Sequence, residues 1–251
     1  MKYIVLSFDD GKKDFYTRAF PVLQQYGLPA VLNVIPDFID GAEPEKWVSW
    51  EELAICMAGG IEIANHSANH TNEPQEIIRG AVKIRQRLRL PEKIGFASPR
   101  SGVCRGNFDR YEDLLVSGHA AYIRSGNQLR RDGHFRALLY LIYRYTGWKW
   151  AFCRYNRGNI LHLDQAKPDI FPSVTCNRDN SMGQVICLIE GMPENSACVL
   201  MLHSILAPED DGYGKGKWTN RVEDFAELCK YLAKNPDVSV ITQMQLCDLM
   251  K

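Results

Sequence analysis

Two adjacent carboxylates, Asp9 and Asp10, close the apolar stretch YIVLSFDDG. Further along, NHSANH sets His66 and His70 four residues apart, and VLMLHS delivers His203 at the end of another apolar run. Neighbouring like charges are costly unless something compensates them. A divalent cation held by Asp10, His66 and His70 would supply that compensation and leave coordination positions for water and substrate. Two histidines at i and i+4 meet on one ion where the segment is helical or tightly looped. Zinc is the default metal for such a set, which also suits cobalt, iron or nickel. Asp9 is then available to take the proton of a water attacking a carbonyl, with His203 across the site to protonate a departing amine. Gly11 follows where the turn must bring backbone close to the site. Each motif alone has an ordinary reading, as loop histidines or as a hydrogen-bonded core histidine. The argument rests on their coincidence.

That coincidence needs a scaffold that gathers strand ends. Short β-branched runs at residues 3–8, 30–35, 61–64, 94–97, 120–123, 197–202 and 238–242 alternate with helical patterns, the signature of a parallel sheet with crossover helices. A helix from Phe15 to Tyr26 stops at Gly27, and Ser49 with Glu52 forms a capping box for another. Asn72 and Pro74 open a basic amphipathic helix through Leu90, and Thr219 or Asn220 opens one through Leu232. In parallel barrels the functional groups sit at the carboxyl ends of strands, where Asp9, Asp10, His66, His70 and His203 all fall. Residues 128–172, rich in Tyr, Trp and Arg, break the alternation and read as an inserted helical segment, either a decoration or a cover over the site.

The motifs SFDDG, HSANH and LMLHS, in this order, resemble the polysaccharide deacetylase family with the NodB homology domain, carbohydrate esterase family 4. FPVLQQYGLPAVLNVI and FAELCKYLAKNPDVSVITQMQL resemble its helix and second strand and its closing elements, so the likeness covers most of the chain outside the insertion. The resemblance implies an α/β fold, a distorted (β/α) barrel of about seven parallel strands, spanning residues 1–251 as one catalytic domain. It implies Asp9 as base, Asp10, His66 and His70 as metal ligands, and His203 as acid in metal-dependent removal of an N-acetyl or related group from a sugar.

Two departures stand out. The family's third motif begins with an Arg that partners the catalytic Asp, and here FASPRSG has Ala97 at that place. Arg100, in the loop that follows, either reaches the site in its stead or is a solvated loop arginine. The fourth motif has no clear match, which leaves Arg178 and Asp179 of TCNRDNSM as candidates to tether Asp9 and orient His203, although Asp179 or Asn180 would serve equally well as the N-cap of the helix that follows. Three functions follow: a deacetylase of an acetylated saccharide, a metal-dependent hydrolase of a small non-carbohydrate amide, or a barrel that binds glycan without turnover.

Bulk composition narrows the partners. The 251 residues carry 30 basic and 30 acidic side chains, which gives no general attraction to nucleic acid. No run reaches the apolar length of a membrane span, and the short N-terminal apolar stretch lacks the build of a signal peptide. Eight cysteines without ligand spacing read as reduced thiols, and with the missing signal they lead to an expectation of a cytoplasmic protein, unless a signal has been trimmed.

Overall fold

The computed structural model describes residues 1–90, 93–126 and 133–250. Residues 128–132 of the expected insertion lie outside them. The strands are β1 (Lys2–Phe8), β2 (Ala30–Val34), β3 (Ile61–Asn65), β4 (Phe96–Ala97), β5 (Ile123–Arg124), β6 (Leu161–His162), β7 (Ile170–Phe171), β8 (Val174–Thr175), β9 (Ser196–Leu202), β10 (Ser204–Leu206), β11 (Thr219–Arg221) and β12 (Val238–Val240). The α-helices are α1 (Phe20–Tyr26), α2 (Pro36–Ile39), α3 (Trp50–Ala58), α4 (Pro74–Leu88), α5 (Glu112–Val116), α6 (Gly133–Thr146), α7 (Lys149–Asn156), α8 (Met182–Glu190), α9 (Val222–Lys234) and α10 (Gln243–Leu249).

Strands β1, β2, β3, β4, β5 and β7 pair in sequence order, all parallel. The chain then passes from β7 to β8, which pairs β9, and β9 pairs β1 along its whole length. Counting β7 and β8 as one bent stave, the circuit closes with seven, a distorted barrel. Strand β12 joins the start of β1, and β6 is the antiparallel exception, on β9.

Strand periodicity decides what this barrel encloses. Successive side chains of a strand point to opposite faces. Ile4, Leu6 and Phe8 of β1 pack outward under the helices, whereas Val5 belongs to a separate cluster with Val31, Ala64, Tyr122, Phe171, Ala197 and Val199. That inner cluster takes residues from five of the staves and is floored by Leu246, Cys247 and Met250 of the C-terminal segment. Counting on in steps of two toward the carboxyl ends, the same inward direction reaches Asp9 from Val5, Asn33 from Val31, His66 from Ala64, Arg124 from Tyr122 and His203 from Val199. Five polar side chains are thereby aimed at one mouth.

The helices form as the sequence indicates. Gly27 ends α1 in the left-handed conformation, and Ser49 and Glu52 make both bonds of a capping box on α3. The first turns of the expected 15–26 helix are wound as a π-helix over Phe15–Ala19, and residues 219–221 pair as a strand before α9 begins. The insertion is shorter than expected. Ile170–Phe171 pairs with β5 and is part of the barrel, so only α6, α7 and the strand after them are added. Leu139 and Tyr143 of α6 and Phe152 of α7 bury themselves in the main core, with the Tyr143 and Phe152 rings edge to face at 5.2 Å. All eight cysteines are free thiols, and no described helix is long and apolar enough to cross a membrane.

Candidate active site

Asp9 directly follows β1 and is buried, 4% exposed. Its Oδ1 accepts from Asn33 Nδ2 at 2.9 Å and from the Arg124 guanidinium, which is 1% exposed. Its Oδ2 faces His203 Nε2 at 4.0 Å. Burial pushes the Asp9 carboxyl up, but the opposing pull, led by the charge of the Arg124 guanidinium and joined by its hydrogen bond, holds the group below the usual carboxylate range. Asp9 is a buried anion.

Asp10 turns the other way. Its backbone lies in the left-handed region at φ 78°, as do Ser67 at 61° and His70 at 64°. Such positions cost free energy in non-glycine residues and gather at functional sites. Gly11 continues the turn at φ 71°, and a Cβ there would come within 3.0 Å of Val34 Cγ1. The turn carries Asp10 Oδ1 to 3.6 Å from His66 Nε2 and 3.7 Å from His70 Nε2, and Lys12 Nζ lies 3.6 Å from Asp10 Oδ2.

The three donor atoms of Asp10, His66 and His70 lie within 4.8 Å of one another. His66 Nδ1 meets the Ala97 carbonyl at 2.8 Å, which sets this nitrogen as the donor and frees Nε2 as a lone pair facing Asp10. Burial and the neighbouring His66 hold His70 below the ordinary imidazole range, favouring the neutral form that a metal requires. A hard carboxylate and two imidazoles converging on one point, with a backbone carbonyl fixing one ring, fit a divalent transition metal. When bound, such an ion polarises a carbonyl oxygen and acidifies water.

His203 is held neutral by burial, against the pull of Asp9 and Asp10. Its ring packs on Trp218 at 4.7 Å, and its Nδ1 is buried without a hydrogen-bond partner among the described residues.

Residues 1–88 match the family model of the polysaccharide deacetylases. This first third of the chain is similar to the polysaccharide deacetylases. It is 31% identical over 81 residues to the poly-beta-1,6-N-acetyl-D-glucosamine N-deacetylase of Escherichia coli K12, a match spanning 27% of this chain and 12% of that relative's length. A family 4 acetyl xylan esterase from Clostridium thermocellum, solved in complex with cobalt, aligns over 98% of this chain and 91% of its own with a TM-score of 0.54 and 16% identity. The Xyl-CE4 domain of a xylanase from the hindgut metagenome of Trinervitermes trinervoides aligns over 98% and 90%, with a TM-score of 0.54 and 15% identity. At these identities the two structures speak for the fold.

The sequence-based assignments around the third and fourth motifs need correction. Arg100 is exposed on a left-handed turn and makes no contact with Asp9; the guanidinium on Asp9 is that of Arg124. Arg178 binds the carbonyls of Gly214 (3.2 Å) and Lys215, and is exposed. Asp179 pairs with Arg144 at 3.5 Å and Lys217 at 3.7 Å and accepts from the Tyr140 hydroxyl. Neither touches Asp9 or His203. They tie the insertion to the loop before Trp218, and α8 is capped by Ser181 instead. Arg124 and Asn33 were legible in principle, since each is a polar residue two steps after an inward apolar one.

Proposed function

We propose that this chain is a metal-dependent hydrolase that removes an N-acetyl, or O-acetyl, group from a saccharide. The observation that carries the reading is the placement of an ionised, Arg124-bound Asp9 and a neutral His203 on one side of a mouth whose other side holds the Asp10, His66 and His70 donors. The family match over residues 1–88 supports the same class.

Asp10, His66 and His70 would hold the cation. Asp9 takes the proton of the attacking water while the new C–O bond forms at the acyl carbon. The proton that Asp9 has taken passes to His203 Nε2, 4.0 Å from Asp9 Oδ2, and from there to the departing nitrogen as the C–N bond breaks, giving acetate and a free amine. Arg124 keeps Asp9 aligned and charged in the resting protein. Its presence supports turnover over a barrel that merely binds glycan, because a binding module has no use for a buried base held ready by its own guanidinium.

Acetate release from N-acetylglucosamine oligomers and acetylated xylan, with zinc or cobalt added, tests this. Turnover that is lost in Asp9→Asn supports the reading. Acetate release unchanged in Asp9→Asn, or an absence of release with cation bound, overturns it.

A further inference from the structure

Helix α6 is apolar on two faces. One face enters the core through Leu139 and Tyr143. The other carries Phe135, Leu138, Leu141 and Tyr145 at helical spacing, and the chain beyond it adds Trp148 and Trp150, whose rings lie 5.1 Å apart. These six residues are between 48% and 75% exposed. An exposed stripe of this extent marks an interaction surface.

Its charge says what kind. From residue 133 to residue 163 the chain carries five of its 30 basic residues and none of its 30 acidic ones. Lys149, Arg154 and Arg157 are exposed beside the tryptophan pair. A helix with Phe, Leu, Tyr and Trp on one face and Lys and Arg at its flanks is built to lie in the headgroup region of an anionic bilayer, where aromatic rings seat at the interface and each basic residue adds attraction. A second copy of this chain would bring the same positive charge to the contact and so is opposed. The C-terminal end of α6 also reaches the site's border: Arg144 pairs with Asp179, which pairs with Lys217, next to the Trp218 that packs on His203.

We propose that α6 and the start of α7 dock this protein peripherally on an anionic lipid surface, apolar stripe inward. The docking does not depend on the catalytic reading and is read without turnover. The experiment is co-sedimentation of the full chain with phosphatidylcholine vesicles, with and without phosphatidylglycerol, across a salt series. Binding to the anionic vesicles alone, weakening with salt and accompanied by a blue shift of tryptophan emission, is expected. Removing Lys149, Arg154 and Arg157 together should weaken it on the order of 100-fold. Leu138→Ser with Leu141→Ser should weaken it by at least roughly tenfold. These sets are independent, and each is judged only in a variant whose melting matches the parent. No binding to anionic vesicles, or binding unchanged by a folded set, overturns the proposal. So does a concentration-dependent dimer that the serine variants dissolve, which would make the stripe a contact between copies.

Discussion

Ala97 and Arg124 stand opposite each other on adjacent parallel strands, as a register pair of β4 and β5. The Arg absent from the third motif is therefore supplied by the neighbouring stave, at the same rung. Ala97 keeps a part in the site through its carbonyl, which fixes His66.

This relationship makes a direct prediction. Arg124→Ala leaves a buried Asp9 without its cation, and loss of one partner of a buried pair costs about 3–5 kcal/mol. Acetate release should fall by at least roughly 100-fold, with burial then raising the Asp9 carboxyl. Ala97→Arg added to Arg124→Ala should recover part of both, read by turnover and by urea midpoint. If the double variant is no better than the single one, position 97 does not look into the same space.

The base and the ligands should separate cleanly. Asp9→Asn is expected to retain added zinc or cobalt while turnover drops by about 10²–10⁴-fold. His66→Ala or Asp10→Ala should lose the metal itself. Calorimetric titration of cation into each protein distinguishes them, and equal loss of binding in Asp9→Asn would assign Asp9 to the metal.

Asp14 gives a pH signature of stability. Half-buried and accepting from the Ile205 amide at 3.0 Å, its carboxyl is pushed up from 3.8 to about 6 by desolvation. Between these values the folded protein keeps a proton that the unfolded chain has released, so this contribution to stability falls as pH rises through the window and is level above it. The whole effect is at most about 3 kcal/mol. Asp14→Asn, which retains an acceptor for Ile205, should gain stability over the parent near pH 7 and lose that advantage near pH 4. Urea midpoints at both values check it; a constant difference would contradict the assignment.

Gly11 is predicted to resist substitution. Its φ of 71° and the 3.0 Å approach to Val34 make Gly11→Ala unfavourable on two counts, for about 1–2 kcal/mol from the backbone alone. Val34→Ala in the same chain should relieve the crowding and leave the backbone cost. Thermal melting of the three variants reads both parts.

Much of this was visible in the chain. Alternating apolar runs fixed the parallel staves, and their two-residue period determines that Asp9, His66 and His203 look inward, because side chains of a strand alternate faces whatever the strand pairs with. Capping residues at Gly27 and Ser49 did the same for helix ends, since those bonds form within a few residues. The expected insertion ran too far because a two-residue strand such as Ile170–Phe171 has no pattern of its own until β5 lies beside it.

The sequence by itself determined which residues are capable of chemistry and the face on which each strand presents them, because both are local properties of side-chain type and backbone period. Only the tertiary structure decided which groups meet. The partner of Asp9 lies 115 residues away on another stave, and Asp179, plausible by position, is drawn off to Arg144 and Lys217. Strand register is a property of pairs of strands, and the sum of registers around a closed barrel sets which side chains share its mouth.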